Sequence, residues 1–291
     1  MFQRKVKKQQ GNNNEIRMIE SKHIRDVLTH TSCNSFVIFD LDNTLVESTQ
    51  EMGGDQWFVS LSQYAAKMVV DSAEAASLVL SIYHEVQFHI DLRAVQKEAI
   101  RIIQILQDLS IPVLALTTRG SKISEPTLSQ LNKIGIHFSK QWSDDFIALP
   151  RHERYSPTFR EGIIFCDGAD KGKCLNEFFN YKQFYPEHVV MVDDKAKYLV
   201  SVGKVVTQYG AQFIGLRYGY LDEKIKTFNL EQSMQELIGI SYRFPRPIQH
   251  VLGRLSITHD RYLQSNSIFS NNQREIDAIY QVTNNYKQFR I

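Results

Sequence analysis

Five short apolar runs punctuate this chain, and each stops at a polar cluster. Phe36-Val37-Ile38-Phe39 ends in Asp40, with Asp42 two residues on. Ile111 to Leu116 ends in Thr117-Thr118-Arg119-Gly120. Gly162 to Cys166 gives way to Asp167-Gly168-Ala169-Asp170 and then Lys171-Gly172-Lys173. Val189 to Val192 ends in Asp193-Asp194, and Phe213 to Leu216 in Arg217-Tyr218. Short runs rich in branched and aromatic side chains read as buried strands.

Between the runs the apolar residues fall into helical spacing. Trp57, Phe58, Leu61, Ala65, Met68 and Val69 mark one helix, after a break at Gly53-Gly54. Residues 72 to 88 form a second, and Val95, Ala99, Ile102, Ile103, Leu106 and Leu109 a third. Further helices are predicted over 125–134, closed by Gly135, from Lys171 through Leu175, Phe178 and Phe179, over 196–202 and over 230–238. A short helix is predicted over 19–28, and loops or a hairpin over 140–161. Strands alternating with helices predict an α/β fold, a doubly wound, Rossmann-like parallel sheet. The first two helices form an insertion between the first strand and its returning helix. The polar strand ends then meet on the carboxyl edge of the sheet, where such folds bind ligands.

Composition narrows the picture little. The hydrophobic fraction of 43% supports a substantial core, and a net charge of +2 favours neither nucleic acid nor anionic surfaces. No apolar run approaches a membrane span. Arg4, Lys5, Lys7 and Lys8 precede no apolar stretch, so residues 1–20 read as a polar mobile tail rather than a secretory signal. Cys33, Cys166 and Cys174 are few, odd in number and without metal spacing, which points to a reducing compartment and a cytoplasmic protein. Between residues 241 and 262, Arg243, Arg246, Arg254 and Arg261 face only Asp260. The bland reading is extra helices packed onto the core; the sharper one is a surface for an anionic partner.

The strand ends carry the chemistry. In extended chain, residues i and i+2 project the same way. Asp40 and Asp42 would then stand together and repel unless a cation or a shared proton intervenes. Mg2+ suits such carboxylates, although an Asx turn would use the same residues for capping alone. The hydroxyls of Thr117 and Thr118, the adjacent amides and Arg119 could hold a phosphoryl group; a threonine N-cap is the plainer alternative. Lysine at a helix start opposes the dipole, so Lys171 hints at a local anion; an ordinary solvated lysine is the plainer alternative. Trp57 is a core residue or part of a pocket rim. His84 and His89 lie five apart, about 140° round a helix, and so fail the zinc-protease pattern. The P-loop pattern is absent.

Taken together, Asp40-x-Asp42-x-Thr44, Thr117, Lys171-Gly172 and Asp193-Asp194 resemble, in order, the four motifs of the haloacid dehalogenase superfamily, across roughly residues 33 to 220. Residues 53–58 and 116–120 are similar to an uncharacterised bacterial branch of its phosphatases. The resemblance implies a catalytic core over 21–46 and 95–220, a helical cap over 47–94 and a C-terminal extension over 221–291. It implies Asp40 as nucleophile and Asp42 as acid and base. Thr117 and Lys171 would hold phosphate, and Mg2+ would sit on Asp40, the Asp42 carbonyl and Asp194, with Asp193 supporting from behind. Thr118, Arg119 and Trp57 are candidates to touch substrate. The implied activity is a Mg2+-dependent phosphatase acting on a small phosphorylated metabolite. The alternatives are a macromolecular substrate or an idle domain kept for binding.

Overall fold

In the computed structural model, which describes residues 16–142 and 146–257, the first element is one the apolar pattern does not announce. Ile16–Ser21 forms β1, paired in parallel with a strand two hundred residues later. Only Ser21 in it is buried. An edge strand tolerates this polar, half-exposed sequence because one of its sides faces no partner. Residues 16–20 are therefore sheet, not tail; the basic residues before them lie outside the described residues. The helix expected over 19–28 contracts to α1 (Asp26–Thr29).

β2 (Ser35–Phe39) carries the first apolar run. A two-stranded antiparallel ribbon, β3 (Val46–Ser48) with β4 (Leu92–Ala94), closes the insertion that holds α2 (Asp55–Met68) and α3 (Ser72–Val86). Then follow α4 (Glu98–Asp108), β5 (Val113–Thr117) and α5 (Ser124–Lys133). The stretch 140–161 contributes two short strands, β6 (Ile147–Ala148) and β7 (Thr158–Arg160), which run antiparallel and lead into β8 (Ile163–Phe165). α6 (Lys171–Lys182), β9 (His188–Asp193), α7 (Ala196–Gln208) and β10 (Gln212–Tyr218) complete the alternation. The chain ends, as described, in α8 (Asp222–Lys226), α9 (Leu230–Ile240) and α10 (Arg246–Arg254).

The strand order is β1-β10-β9-β2-β5-β8-β7-β6, parallel from β1 through β8. This is the doubly wound α/β fold. Alternation explains it: Phe36 and Ile38 point to one face and Val37 and Phe39 to the other, and all four are fully buried. A strand apolar on both sides needs helices on both sides. On the first face Phe36 lies 6.0 Å from Phe179 of α6, within a cluster that includes Leu199 and Val202 of α7. The β7–β8 turn holds Glu161 and Gly162 at φ of 49° and 79°. A Cβ at Gly162 would come within 2.8 Å of the Phe138 carbonyl oxygen, so only glycine fits this turn.

The chain divides into two compact units: residues 16–49 with 91–227, and residues 50–90 with 228–257. The first holds the sheet. In the second, α9 and α10 join the insertion. The Tyr64 hydroxyl donates to the Leu255 carbonyl at 2.8 Å, Met52 N–H donates to Glu236, and the tilted rings of His89 and Phe244 lie 5.1 Å apart. The described extension therefore divides: residues 221–227 belong to the sheet unit, and 228–257 belong with the insertion. Arg243, Arg246 and Arg254 lie within the latter stretch, whereas Arg261 falls outside the described residues. Among the described residues no helix is long and apolar enough to cross a membrane.

Candidate active site

Parallel register delivers the site. Phe39 pairs with Ala115 of β5 and Val192 of β9, so Asp40, Thr117 and Asp193 come within a residue or two of one another along the sheet edge. Asp40 continues the ladder by donating its N–H to the Val192 carbonyl at 2.9 Å. The chain then folds sharply: the amides of Thr44, Leu45 and Val46 all donate to the Leu41 carbonyl, and Asn43 adopts φ 61°. This turn brings the Thr44 hydroxyl to accept from the Asp194 N–H at 3.1 Å.

Lys171 enters from the start of α6, whose N-cap is the Asp170 side chain bonded to Lys173 N–H. The glycine after it is a packing requirement. A Cβ on Gly172 would sit 2.6 Å from the Ser201 carbonyl oxygen of α7, so only glycine lets the two helices meet here. Lys171 is 1% exposed. Its ammonium donates to Asp40 Oδ1 at 2.6 Å and to Asp193 Oδ2 at 2.7 Å, and lies 4.6 Å from the centre of the Tyr198 ring. Lys173, by contrast, is exposed.

Carboxylate oxygens of Asp40, Asp193 and Asp194 all lie within 4.8 Å of one another, and all three residues are buried. The Lys171 ammonium bridges two of the three, and Arg217 lies near enough to Asp194 to feel its charge. Burial pushes the Asp40 carboxyl well above the usual carboxylate range; Lys171 opposes this, while Asp193 and Asp194 add to it. Burial works against the Lys171 charge too, but Asp193 and Asp40 outweigh it and hold the ammonium protonated. Three carboxylates this close form an all-oxygen donor set, the kind Mg2+ takes. The residues present therefore fit that ion. Both oxygens of Asp193 already accept bonds, Oδ2 from Lys171 and Oδ1 from the Lys195 N–H at 2.8 Å.

Not every sequence candidate joins this cluster. Asp42 turns to Arg119, whose Nε donates to Oδ2 at 2.9 Å and Nη2 to Oδ1 at 2.7 Å. Arg119, a candidate to touch substrate, is thus engaged with an acid. Thr117 is fully buried at the end of β5, its hydroxyl accepting from the Arg119 N–H at 3.2 Å; Thr118 beside it is half-buried. Trp57 is fully buried in the second unit and stacked on Tyr83 at 6.4 Å, so it fills a core rather than lining a rim. Sequence reasoning missed Tyr198, and also Thr127 and Gln130 of α5, which accept from Arg119 Nη1 at 3.0 and 3.4 Å. Their three-residue spacing puts them on one helix face, a signal without meaning until Arg119 is placed.

Residues 18–249 match the sequence profile of a family described as "Protein of unknown function (DUF2608)". Two relatives are named "Putative outer membrane protein". The one from Chlamydia trachomatis is 24% identical over 66% of this chain and 72% of its own length. The one from Chlamydia muridarum is 23% identical over the same shares. A relative from Chlamydia pneumoniae, similarly named, is 22% identical over 64% and 69%. Among solved structures, a haloacid dehalogenase-like family hydrolase from Streptococcus pneumoniae aligns over 63% of this chain and 95% of its own, with 15% identity and a TM-score of 0.40. The cytoplasmic expectation is overturned by the names of the Chlamydia relatives. It rested on the lack of a recognisable leader and on unpaired cysteines, neither of which records where a chain is delivered.

Proposed function

The chain belongs to the DUF2608 family, and from its acidic site we propose that it is a Mg2+-dependent phosphatase that hydrolyses a phosphate monoester through an aspartyl-phosphate. The supporting observation is the Lys171 ammonium shared between Asp40 and Asp193, with Asp194 alongside. The cluster stands at the carboxyl edge of the sheet, where such folds bind ligands.

In this reading an Asp40 carboxylate oxygen attacks phosphorus while the bond from phosphorus to the ester oxygen breaks. Asp42, whose two oxygens accept from Arg119, relays the proton of a monoanionic ester to the departing oxygen, then takes one from the water that cleaves the aspartyl-phosphate and yields it to the released phosphate, so both acids return to their starting state. Lys171 and the Thr117 hydroxyl hold the phosphoryl oxygens. Asp40, the Asp42 carbonyl and Asp194 would hold Mg2+, with Asp193 orienting Lys171 from behind. The ion supplies positive charge against the phosphoryl oxygens and keeps Asp40 ionised. A small phosphorylated metabolite is the proposed substrate class.

A panel of phosphate esters assayed with and without Mg2+ tests this. Hydrolysis should vanish with EDTA and return with Mg2+, and Asp194→Ala should raise the Mg2+ needed more than Asp193→Ala. Turnover indifferent to chelation would refute the mechanism.

The relatives' names support a second part of the proposal, that this chain too resides at the outer membrane. Fractionating cells that express it should place the protein in the envelope; recovery in the soluble cytosolic fraction alone would refute that placement.

A further inference from the structure

The pairing of Arg119 with Asp42 goes beyond the roles assigned so far. Arg119 is 3% exposed. Two of its nitrogens grip the two oxygens of Asp42 in a fork, and a third is tethered to Thr127 and Gln130, themselves 0% and 4% exposed. The loop that carries it is pinned as well: Asp167 N–H donates to the Arg119 carbonyl at 3.0 Å, and Gly168 N–H to the Thr118 carbonyl at 2.9 Å. A Cβ on Gly120 would lie 2.4 Å from Asp167 Oδ1, so the Asp167 carboxylate would have to move to admit one.

Such burial and tethering suit a fixture better than a mobile substrate clamp. A planar guanidinium bonded to both oxygens fixes the plane of the carboxyl group as well as its position. Proton transfer depends on that orientation. We infer that Arg119 is a positioning residue: it acts through Asp42, aiming the carboxylate that relays the proton to the leaving oxygen, and does not bind the phosphoryl group. Thr127 and Gln130 hold the guanidinium for this purpose. The inference rests on the phosphatase reading and deepens it.

Leaving groups discriminate the two roles. A nitrophenolate departs with little help from an acid, whereas an alkoxide needs it. Arg119→Gln, saturated with Mg2+, is compared with wild type on p-nitrophenyl phosphate and glycerol phosphate, by rapid-quench first turnover and in the steady state. We expect the first turnover of glycerol phosphate to fall about 10²–10³-fold, the range of a lost proton transfer. The nitrophenyl ester should lose less than about tenfold in its first turnover and show a burst, because hydrolysis of the aspartyl-phosphate still calls on Asp42. KM should change little for either ester, and Arg119→Lys, which keeps one charged bond, should restore part of the loss. Should Arg119→Gln fail to fold, Thr127→Val, which removes one tether, should show the same bias toward loss on the alkyl ester at smaller size. An equal rise in KM for both esters, or equal loss in both first turnovers, would overturn the inference and return Arg119 to the substrate. A wild-type protein that hydrolyses neither ester would instead overturn the phosphatase reading beneath it.

Discussion

Asp40→Asn should abolish turnover while leaving the fold in place. The substitution keeps the shape of the side chain and an oxygen that can accept from Lys171, whose ammonium lies 2.6 Å from Asp40 Oδ1. It removes the charge that would attack phosphorus. Enzymes stripped of a covalent nucleophile commonly lose on the order of 10⁴-fold or more, and a loss of that size is expected here for every ester tested. Stability should hold or improve. Burial and the neighbouring Asp193 and Asp194 already disfavour an ionised Asp40, so a neutral isostere relieves repulsion. Thermal melts and initial rates on one preparation decide the matter: an Asn variant that melts like wild type and turns over at near wild-type rate would remove Asp40 from the mechanism. Trapping gives a second view. Wild-type protein quenched during turnover should carry a phosphoryl adduct on the peptide containing Asp40, and the Asn variant none.

How much of this was legible beforehand follows from the range of the interactions. Each central strand is an apolar run cut off by polar residues, and burial on both faces leaves no other use for such a run. The strands and their ends could therefore be read locally, and the Rossmann-like fold with them. Lys171 rather than Lys173 fits the resemblance because a glycine follows it, and the use of that glycine is the approach of α6 to Ser201. β1 was not legible, because Ile16–Ser21 is an edge strand with little burial to write into its pattern. Nor was the Arg119 fork: it joins residues 77 apart in the chain, and no local spacing encodes such a pair. The joining of residues 228–257 to the insertion failed for the same reason. Asp193 and Asp194 are adjacent and chemically identical, so only their partners separate them. Asp193 is bonded through both oxygens, while Asp194 is reached from the Thr44 turn.

Replacing Lys171 should be the most destabilising single change at the site. The sequence allowed an ordinary solvated lysine there, and an exposed lysine can be removed for about 0.5 kcal/mol or less. The structure instead buries its ammonium between Asp40 and Asp193. Lys171→Met keeps the length of the side chain but leaves the carboxylates of Asp40, Asp193 and Asp194 crowded within 4.8 Å. Removing one partner of a buried ion pair costs about 3–5 kcal/mol, mainly through the charge left behind. Denaturant titration without metal should show a loss of that order. Two further measurements separate this cause from a simple packing defect. Adding Asp193→Asn to the Lys171→Met chain should recover part of the stability, because the pair interacts and the two costs are not additive. Mg2+ should then raise the melting temperature of Lys171→Met more than that of wild type, since the variant's cluster has the greater need of a cation. Catalysis should be lost in both variants, as the phosphoryl oxygens lose their cationic partner. A Lys171→Met protein as stable as wild type, indifferent to both Asp193→Asn and Mg2+, would show that the buried charge does not govern this site.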